Sequence, residues 1–180
     1  MALATDFLII AITSPHRIER EAERIMQLLA GGEADYVHIR KPGWTPEETE
    51  RLIASIAPRM RSRLKLHDHF ELASRYALGG VHLNSRNRMA PEDAVKISKS
   101  CHSVEELADA GRYEYVTLSP VFDSISKQGY RSAFDPDSLR PWLEGKRVVA
   151  LGGVTPERIP LLRDAGFSGA AMLGYFWNCL

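Results

Sequence analysis

Eight short apolar runs recur along the chain, at 8–13, 36–41, 64–68, 80–83, 96–101, 115–122, 147–151 and 169–173, and each ends in, or is followed directly by, a polar or glycine tip. Apolar runs of this length, bounded by turn-forming residues, predict strands. Between them the apolar positions take a helical spacing. Over 15–29, Ile18, Ala22, Ile25, Met26 and Leu29 share one face, while Arg17, Glu21, Glu23 and Arg24 fall largely outside it. Gly31-Gly32 ends that helix. Further helices are expected over 46–56, where Leu52, Ile53 and Ile56 turn inward, and over 70–77, 104–110 and 156–165. The stretch 91–95 has room only for a degenerate helix, and the last helix is absent or reduced to 176–180. The segment 122–134 is polar, contains Gly129 and has no helical pattern, so it reads as a loop of functional length.

Four helix starts place a capping residue before proline: Ser14-Pro15, Thr45-Pro46, Asp135-Pro136 and Thr155-Pro156. The cap's oxygen accepts from a free backbone N–H, and proline at the first helical position loses nothing by lacking one. Thr45 with Glu48, and Ser103 with Glu106, have the spacing of a capping box. Strand, cap and helix in alternation predict parallel strands with crossover helices in a single domain covering 1–180. Eight such units make a (β/α)₈ TIM barrel the leading fold, compact because about 250 residues is typical of that fold. A flavodoxin-like open sheet is the alternative. In both, the site lies at the C-terminal ends of the strands.

Charge changes the picture only by exclusion. The 180 residues carry 23 basic and 23 acidic side chains, without the basic excess of a general nucleic-acid or membrane-surface binder. No apolar stretch has the length of a membrane span, and the N-terminus has no basic segment before its apolar run. Two cysteines, Cys101 and Cys179, are too few for a disulfide framework, and reduced thiols fit a cytoplasmic protein.

Candidate chemistry sits at the strand tips. On the second run, alternation points His38 and Arg40 to the same side, and an arginine fork there suits a phosphate. The third run ends His67-Asp68-His69. Aspartate at a strand tip can hold magnesium, which favours hard oxygen ligands and substrate phosphates. Zinc at the flanking histidines is disfavoured, because adjacent residues on a strand point opposite ways. Ser124, Ser126 and Lys127, ahead of Gly129, offer hydroxyl and ammonium donors to an anion. Gly152 and Gly153, between the seventh run and a capped helix, allow backbone N–H groups to approach a phosphate, at the position barrels commonly use.

In this order and spacing, Val37-His38-Ile39-Arg40, Leu66-His67-Asp68, Gly80-Val81-His82-Leu83, residues 100–107, Ser119-Pro120-Val121-Phe122 and Ala150-Leu151-Gly152-Gly153-Val154 resemble the thiamine phosphate synthase and TenI family. The resemblance covers nearly the whole chain. It implies a (β/α)₈ barrel that joins an aminomethylpyrimidine diphosphate to a thiazole phosphate: pyrophosphate leaves first, and the thiazole nitrogen attacks the resulting pyrimidine cation. It also implies that Arg40, Ser100, Ser124, Ser126 and Lys127 contact phosphate or pyrophosphate. Asp68 would bind Mg²⁺, and Gly152 and Gly153 would bind the thiazole phosphate. Several positions depart from the family pattern. Pro42 stands where a lysine is usual, leaving Lys41 as its nearest substitute. His67 replaces an asparagine, and Asn87 replaces a second magnesium-binding aspartate. Gly174 replaces a serine near the thiazole phosphate but keeps its backbone N–H, and His38 replaces a glutamine near the pyrimidine. Other members of the family are thiazole tautomerases, whose histidine position is Pro120 here. A tautomerase using His38 or His67, or a non-catalytic regulator binding a thiazole or thiamine phosphate, are the rival readings. A barrel flank left open by a missing last helix favours a homodimer.

Overall fold

The computed structural model describes residues 7–122 and 136–177. Eight parallel strands, β1 (Leu8–Ile12), β2 (Tyr36–Ile39), β3 (Leu64–Leu66), β4 (Val81–Leu83), β5 (Ile97–Cys101), β6 (Tyr115–Leu118), β7 (Val148–Leu151) and β8 (Gly169–Met172), pair in chain order. β8 returns to β1 with Leu8 opposite Gly169 and closes the barrel. Glycine is needed at that seam: a Cβ on Gly169 would lie 2.6 Å from the Leu8 carbonyl oxygen. The open-sheet alternative is thereby excluded.

Strand alternation divides the apolar side chains in two. Ala11, Val37, Ile39, Leu64, Leu66 and Val81 face the surrounding helices in the main core. Leu8, Ile10, Ile12, Val149 and Ala171 face the lumen, together with Tyr115. The helices are α1 (Glu21–Ala30), α2 (Pro46–Ala54), α3 (Glu71–Arg75), α4 (Arg140–Leu143), α5 (Ile159–Ala165) and α6 (Gly174–Trp177). Short 3₁₀ segments fill the remaining crossovers, at Pro58–Arg63, Glu105–Arg112, Pro136–Leu139 and Pro156–Arg158. The reduced last helix is α6. It buries Phe176 and Trp177, and the Trp177 indole donates to the Ile12 carbonyl at 2.6 Å, tying the end of the described chain to β1.

Among the described residues, one of the expected proline-linked caps forms with a side chain. Thr45 and Glu48 make the full reciprocal box at the start of α2. The first helix does not begin at Pro15. It starts at Glu21, after Arg20 in the left-handed region with φ 55°. The preceding segment is held in a turn instead: the Ser14 hydroxyl accepts from the His16 N–H at 3.2 Å, and the Lys41 ammonium donates to the Ser14 and His16 carbonyls, each at 2.8 Å. Thr155 precedes a 3₁₀ turn without a side-chain cap bond. The box expected from Ser103 is also replaced: Val104 precedes the 3₁₀ segment, and Glu106 accepts from the His102 N–H at 3.0 Å. No helix forms over 91–95, where one turn closes with Ala94 N–H on the Pro91 carbonyl at 3.1 Å. Asp135 lies outside the described residues.

Candidate active site

Because every strand runs the same way around a closed ring, residues just past the strand ends share one rim. Arg40 follows β2. Its backbone N–H donates to the Thr13 hydroxyl at 2.9 Å, which fixes the strand tip. Its guanidinium is half-buried and makes no hydrogen bond to another described residue. Burial and the neighbouring Arg86 charge pull its pKa down while Asp68 pulls it up, and guanidinium stays cationic throughout. Asp68, past β3, accepts a forked contact from Arg86, with Nη2 3.2 Å from both carboxylate oxygens. Asn87 donates its amide N–H to Asp68 Oδ1 at 2.8 Å and to the His67 carbonyl at 2.9 Å. Asn84 donates to the same carbonyl at 2.8 Å, and its own oxygen accepts the Arg86 N–H, so the loop after β4 is folded onto the end of β3.

This arrangement bears on the expected Mg²⁺ site. Magnesium takes oxygen ligands in near-octahedral order. Here both Asp68 oxygens accept from Arg86, and Asn87 turns its nitrogen, not its oxygen, toward the carboxylate. As arranged, Asp68 and Asn87 do not fit the ion. The Arg86 guanidinium holds the position beside the carboxylate that a cation would take.

Beneath the rim, the lumen along β2–β6 is polar. His38, His67 and His82 are buried and packed against one another, with the His67 and His82 rings stacked at 4.4 Å between centroids. His38 Nδ1 lies 2.9 Å from His67 Nε2, and His38 Nε2 lies 2.6 Å from the Tyr115 hydroxyl. His82 bridges two serines, Nδ1 to Ser98 Oγ at 2.8 Å and Nε2 to Ser100 Oγ at 2.9 Å. The Ser98 hydroxyl also faces the Val81 carbonyl at 3.3 Å, and a carbonyl can only accept. Ser98 therefore donates there and accepts from His82 Nδ1–H, leaving the Nε2 lone pair for the Ser100 hydroxyl. All three imidazoles are held neutral. Burial is the first cause in each, joined by the charge of Lys65 at His38 and His82, and of Arg40 and Arg86 at His67. His82 is pushed down to about 3. Burial likewise raises the Tyr115 phenol.

The remaining expected site residues are distributed as follows. Ser100 is brought to the group through His82. Lys41 is not: its ammonium is buried, with three donors spent on Ser14, His16 and the Glu21 carboxylate at 2.7 Å, so it has none left for a substrate. The expectation that Lys41 substitutes for the missing lysine is corrected accordingly. His38 is sealed under His67 rather than open to the mouth. His69 turns outward to the Trp44 carbonyl at 2.7 Å. Gly152 and Gly153, past β7, both have positive φ, at 94° and 61°. A Cβ on Gly152 would meet Pro120 Cα at 2.7 Å, so close approach of the segment after β6 already requires glycine there. Gly174 opens α6 at the same rim. Ser124, Ser126 and Lys127 lie outside the described residues. Grooves of about 540 and 590 Å³ run along α1, but no residue of the rim cluster lines them, and their Arg17, Arg20, Glu23 and Glu48 are paired among themselves. Convergent donors, not concavity, locate the site.

Sequence reasoning missed His82 and Arg86. The available signal for His82 was a polar residue at the centre of the β4 run, between Val81 and Leu83, where alternation aims it at the lumen. Arg86 follows β4 in a loop, and no pattern within a run marks it.

The family described as thiamine monophosphate synthase matches residues 9–175. A thiamine-phosphate synthase of Rhodospirillum centenum is 30% identical over 172 residues, covering 87% of this chain and 82% of that one. One from Salinibacter ruber is 27% identical over 169 residues, covering 86% and 74%. Among solved structures, a thiamine phosphate pyrophosphorylase from Bacteroides thetaiotaomicron superposes with TM-score 0.83 at 34% identity, covering 97% of this chain and 86% of the other.

Proposed function

We propose, for a chain that belongs to the thiamine monophosphate synthase family, the reaction of its named relatives: transfer of the pyrimidinylmethyl group of hydroxymethylpyrimidine diphosphate to a thiazole phosphate, releasing pyrophosphate in thiamine biosynthesis. The carbon–oxygen bond to the diphosphate breaks with its electron pair leaving on pyrophosphate. The thiazole nitrogen lone pair then forms the new carbon–nitrogen bond. What this mechanism asks of the protein is positive charge where the leaving group gains negative charge.

The observation that carries the reading is Arg40, a half-buried guanidinium at the mouth with no hydrogen-bond partner among the described residues and Asp68 and Arg86 in its field. In this reading Arg40 binds the diphosphate, and Lys127, Ser124 and Ser126 add donors from the loop after β6. Ser100 acts from the lumen side and borders the same phosphate. The Gly152 and Gly153 backbone, with Gly174, receives the thiazole phosphate, and His67 forms the floor beneath the pyrimidine. Magnesium enters no step here; Arg86 supplies the cation beside Asp68. Both substrates carry phosphate and do not cross membranes unaided, and this reading sets the reaction in the cytoplasm. Among the described residues no helix is long and apolar enough to cross a membrane.

The test supplies purified protein with pyrimidine diphosphate and thiazole phosphate, with and without magnesium. Stoichiometric pyrophosphate and thiamine phosphate support the proposal. Binding of both substrates without turnover under either condition, or isomerisation of the thiazole alone, overturns it.

A further inference from the structure

From the position of His38, His67 and His82 in the lumen, we infer that this chain has a second ligand site: a tri-histidine centre for a divalent transition metal of the zinc, cobalt, nickel or copper class. One ring nitrogen from each lies within 4.8 Å of one nitrogen from each of the others. Three imidazoles about one tetrahedral zinc, at about 2.0–2.1 Å each, stand roughly 3.3 Å apart. The His38 Nδ1 to His67 Nε2 edge is already 2.9 Å. Turning the His82 ring out of its stack on His67 closes the rest.

The surroundings are those of a metal ligand set. A ligating imidazole ordinarily has its other nitrogen fixed by a hydrogen bond. Tyr115 does this for His38 Nε2, and Ser98 does it for His82 Nδ1. An ion would take His38 Nδ1 and His82 Nε2 in exchange for their present contacts with His67 and the Ser100 hydroxyl. An independent sign of a missing partner comes from β6. The Thr117 hydroxyl is buried and makes no hydrogen bond among the described residues. Thr117 stands opposite Ser100 in the β5–β6 ladder, so it faces the same level of the lumen as the serine that holds His82. A water or hydroxide in the open fourth position of the ion would give this hydroxyl its partner.

Charge selects the class of ion. The cations facing the three rings are Lys65 from below and Arg40 and Arg86 from the rim; the acids are Glu114, paired to Lys65, and Asp68, paired to Arg86. Cations outnumber acids, so an ion held mainly by charge, such as magnesium or calcium, gains little here. An ion held by nitrogen donation is favoured. The centre is therefore distinct in chemistry from the oxygen-ligand site expected at Asp68, and it stands whether or not the transferase reading does.

The experiment uses tag-free full-length protein, stripped with chelator, titrated with Co²⁺ and Zn²⁺ without substrate. Wild type is expected to take up one equivalent, with a tetrahedral cobalt absorption band that excess magnesium leaves unchanged. His38→Gln and His67→Asn should each weaken cobalt binding at least tenfold while keeping the near-ultraviolet circular dichroism of the fold. X-ray absorption on cobalt-loaded wild type, which needs no variant to fold, should count three imidazoles. No uptake by wild type, uptake undiminished in either folded variant, or fewer than two imidazoles around the cobalt overturns the inference.

Discussion

The two ends of the barrel lumen handle charge in opposite ways. At the floor, Lys65 is fully buried, yet its ammonium sits 2.6 Å from Glu114 and 4.9 Å from the centre of the Tyr115 ring. Glu114 also accepts from Tyr36 at 3.3 Å and lies 3.6 Å from Lys96. At the mouth, three residues further along the chain and just past β3, Asp68 meets a solvent-exposed Arg86, and the Arg40 guanidinium has no hydrogen-bond partner among the described residues. Both ends carry lysine or arginine with a carboxylate, so residue type does not separate them. What separates them is whether each charge is answered within the protein. An answered, sealed charge reads as part of the scaffold, and an unanswered, half-buried one reads as waiting for a ligand. This is the division expected between the bottom and top faces of such barrels.

The comparison breaks most visibly at the floor. Lys65→Met should cost about 3 kcal/mol of stability in urea denaturation, the scale for removing one partner of a buried pair. Its effect on turnover per folded molecule should be small. The pH dependence has a definite sign. Burial works to raise the Glu114 pKa, but the hydrogen bond and charge of Lys65, with Lys96, outweigh it and hold the carboxyl below its ordinary range. A depressed acid contributes stability that is present above its unfolded pKa, about 4.3, and is lost as pH falls through the folded value. Wild type should show that acid-side loss and Lys65→Met should show less of it. An unchanged acid slope with unchanged stability would mean the floor pair contributes nothing.

At the mouth the expected pattern is reversed. Arg40→Ala should lower kcat/KM for the pyrimidine diphosphate about 100-fold, as for loss of one preorganised donor to a developing charge. Its urea midpoint should stay near that of wild type. Arg40→Lys should recover only part of the loss, because an ammonium cannot present the planar fork. A large stability loss with normal kinetics in Arg40→Ala would move this residue from the ligand end to the scaffold.

Gly152 tests whether the mouth also contains scaffold. With φ 94° and a Cβ position 2.7 Å from Pro120 Cα, Gly152→Ala should destabilise by about 2 kcal/mol through backbone strain and overlap. If its thermal midpoint is unchanged, the glycine serves the phosphate alone.

The two kinds of end were unequally visible in the chain itself. All eight strands fall within the expected apolar runs because that signal is local: alternation and turn residues lie within each run. Arg40 and Asp68 were legible for the same reason, since a strand tip in a parallel barrel is a site by topology. Long-range chemistry was not. The Ser14-Pro15 signal for a helix start gives way to a turn whose carbonyls are tied to the Lys41 ammonium, 25 and 27 residues away. Likewise, His38 meets Tyr115 across 77 residues and His82 meets Ser98 across 16. Nothing within one run indicates which other run its inward polar residue will face. Lys41 and Arg40 are adjacent in sequence, yet alternation sends one to a sealed pair and the other to the mouth.

The mildest test of the comparison is Asn87→Asp, which restores a carboxylate at the mouth. Asn87 now donates to Asp68 Oδ1, and replacing that donor with a second acid sets two like charges together. Relief can come from a cation, and magnesium accepts one or two carboxylates with its remaining positions filled by water or phosphate. Magnesium affinity, measured by calorimetry on the free protein, should therefore tighten about fivefold, or ~1 kcal/mol. The gain is small because Arg86 already competes for Asp68, and it should grow when Arg86→Gln is added. If neither the single nor the double substitution changes magnesium affinity, the rim carboxylates lie outside any metal site, and Arg86 is the cation this end of the barrel uses.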